Sequence, residues 1–245
     1  MDKERFCSAC NEIIGKEKKK NGIGTLGEKT LHAVLKLYFE PHKENHEVKV
    51  GNFVADIVCE RGVIEIQTRQ FNRLLSKLEC FLEYCDVTVV YPVIRNKYLS
   101  WINMDTGEVS SKRRSPKKGT IYDSIQELYK IKYTLDNPRM NLCICILDAD
   151  ETRYLNGWSK DGKKGSTRCD RIPKELAEEV YFNNIYDYKK FIPEGLPEQY
   201  TSSDLAKAAK ISKKDSSTLL NILTYLCIVT RCGKKGNSIL YKTAD

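Results

Sequence analysis

Long apolar stretches are absent from this chain, and none of its segments is long and apolar enough to cross a membrane. The N-terminus is charged and lacks an apolar core segment, so we expect no signal peptide and a cytoplasmic protein. Its ten cysteines are then expected to be reduced thiols rather than disulfides. Histidine is scarce, and none of the three histidines lies in a pattern typical of a catalytic triad.

Positive charge is what the chain has in excess. Its 245 residues carry 41 Lys and Arg against 33 Asp and Glu, which gives a net charge of +8. Much of this charge is clustered in Lys16–Lys20, Lys112–Lys118 and Lys160–Arg171. A basic chain favours polyanionic partners, and this length suits one larger and one smaller domain.

Cys7 and Cys10 have the spacing of half a zinc knuckle. A second ligand pair with suitable spacing is missing, so zinc binding would require the fold to bring other ligands near. The pair alone therefore does not predict a zinc site.

Two short apolar segments with carboxylates inside them are the most informative feature. Val54–Glu60 and Val63–Thr68 are predicted strands, and they contain Asp56, Glu65 and Gln67. Burying an unpaired charge costs several kcal/mol or more, so a buried strand needs something to offset it. A bound divalent metal is the usual answer. The alternative is an edge strand whose carboxylates face solvent.

The spacing predicts where these side chains point. We predict a two-residue hairpin turn at Arg61-Gly62, because glycine accepts the positive φ of such turns. Asp56 then pairs with Gln67, and the carboxylates of Asp56 and Glu65 share one face as diagonal neighbours, roughly 7 Å apart at Cα. A turn one residue longer or shorter would place them on opposite faces.

Asp56, followed after eight residues by Glu65-Ile66-Gln67, resembles the metal site of the PD-(D/E)xK nuclease superfamily in its Glu-x-Gln variant. The order of predicted elements also resembles the α-β-β-β-α-β core of its Holliday-junction-resolvase and restriction-endonuclease branches. These elements are a helix at Leu26–Tyr38, a first strand from Glu47–Val50, the hairpin, a helix at Phe71–Cys85 and a strand at Val87–Ile94.

The resemblance implies an α/β fold with a mixed central sheet flanked by helices, and metal-dependent cleavage of phosphodiester bonds. Asp56, Glu65 and the Ile66 carbonyl would hold Mg²⁺ or Mn²⁺, since carboxylate and carbonyl oxygens suit these ions. Glu28, in the first turn of the early helix, would complete the ligand shell or orient the attacking water.

Two positions depart from the family pattern. Ala55 replaces the proline of the family name, and Gln67 replaces the usual lysine. Glutamine can hydrogen-bond the attacking water but supplies no positive charge. Lys77 or Arg69 could supply that charge from nearby, and the alternative is that both are solvated positions.

The C-terminal segment carries a second resemblance. Thr201–Asp204 is a helix start, a second helix covers Asp215–Leu226, and Gly233–Asn237 is a basic turn between two short strands. This order resembles a winged-helix domain, which would bind DNA through its second helix and its wing, although many such domains bind proteins. The implied DNA-binding residues are Lys213, Lys214, Ser216, Ser217, Thr218, Lys234 and Lys235.

Between the two resemblances lies a basic stretch in which Lys163, Lys164 and Arg168 are candidate phosphate ligands. The alternative is a solvated linker. We predict helices at Lys174–Phe182 and Ile185–Phe191 as a bridge to the C-terminal domain. The predicted organisation is a basic N-terminal extension (1–25), a nuclease-like domain (26–155), the linker and bridging helices (156–192) and a winged-helix domain (193–245).

The sequence thus predicts a metal-dependent endonuclease that acts on DNA in restriction, defence or repair. A homodimer would supply two sites for cutting both strands. One alternative is a non-catalytic DNA-binding transcriptional regulator with a decayed nuclease domain. Another is a nuclease that acts on RNA.

Overall fold

The computed structural model describes residues 1–20, 30–158 and 167–244. In these residues, no helix has the length and apolar character needed to span a membrane. The α-helices are α1 (Lys3–Lys20), α2 (Thr30–Phe39), α3 (Leu75–Leu82), α4 (Ile125–Lys130), α5 (Ser202–Ala209) and α6 (Lys213–Tyr225). The strands are β1 (His46–Val50), β2 (Phe53–Cys59), β3 (Gly62–Ile66), β4 (Val87–Ile102), β5 (Arg113–Arg114), β6 (Met140–Tyr154), β7 (Arg168–Phe182), β8 (Val229–Lys235) and β9 (Ser238–Thr243). Short 3₁₀ segments cover Lys43–Asn45, Phe71–Arg73, Ile121–Ser124, Lys132–Thr134 and Ile185–Phe191.

The main sheet has seven strands in the order β1-β2-β3-β4-β6-β7, with β5 paired to β4. It is mixed, because β2 pairs antiparallel with β3 whereas β3 pairs parallel with β4. A mixed α/β fold with a central sheet flanked by helices was predicted, and it is confirmed. The run α2-β1-β2-β3-α3-β4 also has the predicted element order, with β4 extending eight residues beyond the predicted end.

By its contacts the chain divides into two compact units. The first contains Met1–Val48, Pro92–Thr120 and Cys145–Glu179. The second contains Lys49–Tyr91, Ile121–Ile144 and Val180–Asp245. In the first unit, the ring of Phe6 from α1 meets the ring of Tyr38 from α2 edge-on at 5.5 Å between centroids. The N-terminal residues therefore include a packed helix.

The register of the β2–β3 hairpin differs from the prediction by two residues. Val58 pairs with Val63 and Cys59 with Gly62, so the turn residues are Glu60 and Arg61 rather than Arg61 and Gly62. An even shift in pairing keeps every side chain on its predicted face, because side chains alternate with a period of two. The carboxylates of Asp56 and Glu65 consequently remain on one face, and they now lie directly opposite each other.

Only glycine fits at position 62, because the backbone there lies close to the residue that precedes β4. The φ of Gly62 is +92°, and a Cβ at this position would lie 2.2 Å from the carbonyl oxygen of Asp86. That oxygen accepts a hydrogen bond from the Val63 N–H at 2.9 Å, so it is fixed in place. A glycine therefore lets the backbones of β3 and β4 approach each other closely.

The predicted bridging helix at Lys174–Phe182 is wrong, because these residues form the second half of β7. Local helix propensity in Lys-Glu-Leu-Ala-Glu-Glu favoured a helix, but pairing with β6 in the sheet overrides that preference. Leu176 and Phe182 are both buried. Ile185–Phe191 is helical in the 3₁₀ form.

The C-terminal elements follow the predicted order of helix, turn, helix and hairpin. Thr201 begins α5 with a capping box, in which its hydroxyl accepts from the Asp204 N–H at 3.3 Å. Ser212 begins α6 by accepting from the Asp215 N–H at 3.0 Å. Strands β8 and β9 then pair antiparallel.

Candidate active site

The strands β2 and β3 position two carboxylates so that each accepts a backbone N–H of the other strand. The Ile66 N–H donates to Asp56 Oδ2 at 2.8 Å, and the Asp56 N–H donates to Glu65 Oε1 at 3.3 Å. Paired residues extend only from Cys59–Gly62 to Ile57–Ile64. Beyond that pair, carboxylate oxygens replace the backbone ladder, so both acidic side chains converge where the strands part.

Lys77, from α3, contacts this pair. Its Nζ donates to Glu65 at 3.1 Å to Oε1 and 3.0 Å to Oε2, and to the Val54 carbonyl at 2.7 Å. The residue Glu65 is only 2% exposed, so Lys77 partly compensates a carboxylate that has lost its water. The sequence offered Lys77 or Arg69 as a source of positive charge, and the structure places Lys77 beside the acid.

The electrostatics of this site raise the pKa of Glu65 to about 7. Burial is the largest cause, and the nearby Asp56 carboxylate adds to it, whereas Lys77 opposes the shift. A carboxyl that titrates near neutral pH exchanges its proton under physiological conditions.

This shift predicts a pH dependence of folding stability. Between pH 4.5 and about 7 the folded state holds a proton on Glu65 that the unfolded chain has lost. The resulting stabilisation is complete below about pH 4.5 and declines as pH rises to 7, by on the order of 3 kcal/mol at most. We expect urea denaturation at pH 5 and pH 8 to show a smaller decline for Glu65→Gln than for the wild type. Equal declines in the two proteins would contradict the assigned shift.

Gln67 supports the loop that follows β3. Its Nε2 donates to the Arg69 carbonyl at 2.7 Å, and the loop then passes through Gln70, whose φ of 62° is left-handed. The Phe71 N–H is bound by Glu127 Oε2 at 2.8 Å. Glu127, on α4, was not anticipated, because no local pattern marks a residue 56 positions away in sequence.

The two carboxylates are a small set of protein ligands, of the size that commonly binds a hard divalent cation such as Mg²⁺. Mg²⁺ is commonly bound through one or two carboxylates with water and phosphate oxygens completing its shell. Asp56 and Glu65 provide two such carboxylates, and Ile66 follows directly with its carbonyl. Glu28, the predicted third acid, lies outside the described residues. Within the described part of the chain, no group of three or more His, Cys, Asp or Glu side chains could hold a metal ion, and Cys7 and Cys10 therefore belong to no such group.

The predicted DNA-binding residues of α6 fall on different sides of the helix. Lys213, Lys214 and Ser217 are exposed. Ser216 is not available to a partner, because it is fully buried and its hydroxyl donates to the Ser202 carbonyl at 2.6 Å. Thr218 is half-buried, and its hydroxyl donates to the Lys214 carbonyl at 3.0 Å. The prediction for Ser216 is therefore corrected, since helix packing uses that side chain.

A second side of α6 is held by α4 and the residues after it. Gln126 Nε2 donates to Asp215 Oδ1, and Lys132 Nζ donates to Asn221 Oδ1, both at 2.8 Å. The ammonium of Lys132 also lies 4.7 to 5.6 Å from the ring centroids of three tyrosines, Tyr129, Tyr133 and Tyr225. These contacts leave α6 with a narrow exposed stripe.

The remaining predicted basic residues also have defined positions. Lys234 and Lys235 are exposed at the end of β8, where a wing would contact DNA. Arg168 is the first residue of β7 and half-buried, so it belongs to the sheet rather than to a linker. Lys163 and Lys164 lie outside the described residues.

Comparisons with known proteins give two matches. A family model described as "Domain of unknown function (DUF8091)" matches residues 29–183, which include Asp56, Glu65 and Lys77 but not α5 or α6. A protein of Treponema pallidum (strain Nichols), named "Uncharacterized protein", is 30% identical over 227 residues, which cover 90% of this chain and 87% of that protein. No solved structure matches the chain significantly.

Proposed function

We propose that this chain, which belongs to the family described as "Domain of unknown function (DUF8091)", is a metal-dependent endonuclease that hydrolyses phosphodiester bonds in DNA. One observation carries the proposal. Two carboxylates converge where β2 and β3 part, one of them buried, with a lysine ammonium 3.0 Å from it. Acids are rarely fully buried unless they are paired, and a buried carboxyl whose pKa is strongly shifted is a candidate functional group.

Asp56, Glu65 and the Ile66 carbonyl would hold Mg²⁺ or Mn²⁺. When bound, such an ion neutralises charge on the phosphoryl oxygens and lowers the pKa of water. Its affinity would depend on Glu65 being ionised, so that binding strengthens as pH rises towards 7.

In the reaction, a water oxygen bonds to phosphorus and releases a proton to solvent, the phosphorus–oxygen ester bond breaks, and the leaving oxygen takes up a proton. Lys77 would stabilise the developing negative charge through the positive charge of its ammonium, which its hydrogen bonds to Glu65 and to the Val54 carbonyl hold beside the carboxylates. Asp56 is held in place by the Ile66 N–H, which fixes the orientation of its carboxylate. Gln67 would act indirectly, by holding the loop at Arg69.

The C-terminal elements would bind the DNA as a winged helix. The exposed residues on α6 are Lys213, Lys214 and Ser217, and the hairpin tip adds Lys234 and Lys235. Lysine–phosphate contacts supply affinity that weakens with salt. A homodimer in the cytoplasm would bring two cleavage sites to one duplex.

Metal-dependent cleavage is the test of this proposal. We expect supercoiled plasmid DNA to be nicked or linearised with Mg²⁺ or Mn²⁺, and to remain intact with EDTA. Calorimetric titration of Mn²⁺ should give an affinity that rises by about tenfold per pH unit below pH 7, because the ion competes with the proton on Glu65. Trials with duplex, branched and single-stranded DNA and with RNA would identify the substrate class.

One observation favours a second candidate, a non-catalytic DNA-binding regulator. Lys77 bonds both carboxylate oxygens of Glu65, as a structural ion pair would. In that case Mn²⁺ would not bind and no nucleic acid would be cut, while salt-dependent DNA binding through α6 would persist. These results would rule out the enzyme and leave the regulator.

A further inference from the structure

One face of the sheet in the first unit gathers basic side chains. Lys97 and Trp101 lie on the same face of β4, because they are four residues apart and side chains alternate. Arg113 of β5 pairs with Leu99 between them, so its side chain shares that face. Arg113 is exposed.

A buried acid organises three cations on this face. Glu151 of β6 is fully buried, and its carboxylate accepts from Arg153 Nε at 2.9 Å and from Arg171 Nη2 at 2.7 Å. Lys97 Nζ lies 3.8 Å from Glu151 Oε2. The ion pair of Arg153 lies within β6, and those of Lys97 and Arg171 cross to β4 and β7, so Glu151 holds the three cations together.

Four basic residues share this face with Glu151: Lys97, Arg113, Arg153 and Arg171. The side chains of Lys97, Arg153 and Arg171 are 24%, 13% and 19% exposed, so each is partly accessible to a partner. Guanidinium groups preordered by a buried carboxylate are well suited to bind phosphate oxygens.

An aromatic cleft adjoins the basic residues. Its volume is about 470 Å³, and its lining includes the apolar residues Trp101, Val109 and Leu155 and the acidic residue Glu108. A cleft of this size accepts a nucleobase, which can stack on an indole and donate to a carboxylate. The segment Lys112–Lys118, which pairs with β4 through Arg113 and Arg114, contains five basic residues and no acid.

We propose that this basic face, consisting of Lys97, Trp101, Arg113, Glu151, Arg153 and Arg171, binds single-stranded nucleic acid. Phosphates contact the four cations, and an unpaired base stacks on Trp101. Duplex is excluded from the Trp101 cleft, since its bases are stacked inside. The proposal does not depend on cleavage, because binding here is measured without metal.

Fluorescence of Trp101 reports the stacking directly. The chain has two tryptophans, so Trp158→Phe leaves Trp101 as the sole indole. With the full chain in EDTA, we expect oligo(dT) or oligo(U) to quench this fluorescence at low salt, and duplex of the same length to quench it much less. Equal quenching by duplex, or no quenching by either single strand, would overturn the proposal.

Matched variants separate the base contact from charge. We expect Trp101→Ala to weaken oligo(dT) binding about tenfold by fluorescence anisotropy, and Trp101→Phe to retain most of it. Arg113→Gln should reduce the slope of log affinity against log salt by about 0.7, whereas Arg61→Gln, an exposed arginine in the second unit, should not. If poly-glutamate competes fully and Trp101→Ala binds normally, the face is a general anion surface and the proposal fails. The proposal also fails if Trp101→Ala does not fold and Trp101→Phe loses binding.

Discussion

Replacing Asp56 by Asn should lower the rate of metal-dependent DNA cleavage by about 10²–10³-fold. The amide keeps the size of the carboxylate, and its oxygen can still accept the Ile66 N–H that now donates at 2.8 Å. The fold is therefore preserved while one negative ligand oxygen is lost. Gel assays of plasmid nicking under single-turnover conditions would measure the rate.

Two controls make this result specific to the site. Asp86→Asn removes an exposed carboxylate immediately before β4, and it should leave cleavage unchanged. Affinity of Asp56→Asn for uncut DNA in EDTA should stay within about twofold of the wild type, because α6 and the β8–β9 hairpin, through which we propose that DNA binds, are untouched. A variant that cuts at the wild-type rate would remove Asp56 from the metal site and defeat the nuclease proposal.

Gly62→Ala should cost about 3 kcal/mol or more of folding stability. The new methyl would lie 2.2 Å from the Asp86 carbonyl oxygen, and the residue would keep an unfavourable φ of +92°. The Asp86 carbonyl cannot easily withdraw, because it accepts the Val63 N–H in the β3–β4 pairing. Urea denaturation would measure the loss.

Gly51→Ala is the matched control for this substitution. Gly51 also has a positive φ, +59°, but its Cβ would meet only Cys80 Sγ at an ordinary 3.8 Å. This substitution should lower folding stability by about 1 kcal/mol, which is the cost of a positive φ for alanine without a steric clash. Similar losses for the two variants would show that the approach of β3 to β4 is not a constraint.

The placement of the carboxylates could be predicted because it depends on local rules. Alternation along β2 and β3 requires only that the number of turn residues keep its parity, and the observed turn at Glu60-Arg61 does so. The predicted register is wrong, because glycine is typical of turns whereas Gly62 lies in β3. Its actual constraint comes from Asp86, which lies 24 residues away in sequence.

Contacts between residues that are distant in the chain could not be predicted from the sequence. Lys77 could be named as a charge near the site, but nothing in its helix specified a bond to both oxygens of Glu65. From Lys174 onward the local sequence of β7 favours a helix, and only pairing with the neighbouring strand β6 makes it a strand. Ser216 looked like a contact residue because exposure cannot be read from the start of a helix alone.

The aromatic enclosure of Lys132 limits how far the C-terminal elements can be treated as a portable module. Asn221 accepts from this lysine, and Tyr225, whose ring faces the ammonium, donates its hydroxyl to Asp136 at 2.8 Å. These partners lie about 90 residues upstream, within the same compact unit. Transplanted without α4 and the segment after it, α6 would lose the groups that set its orientation. The orientation of α6 is therefore set by residues that lie outside the C-terminal elements.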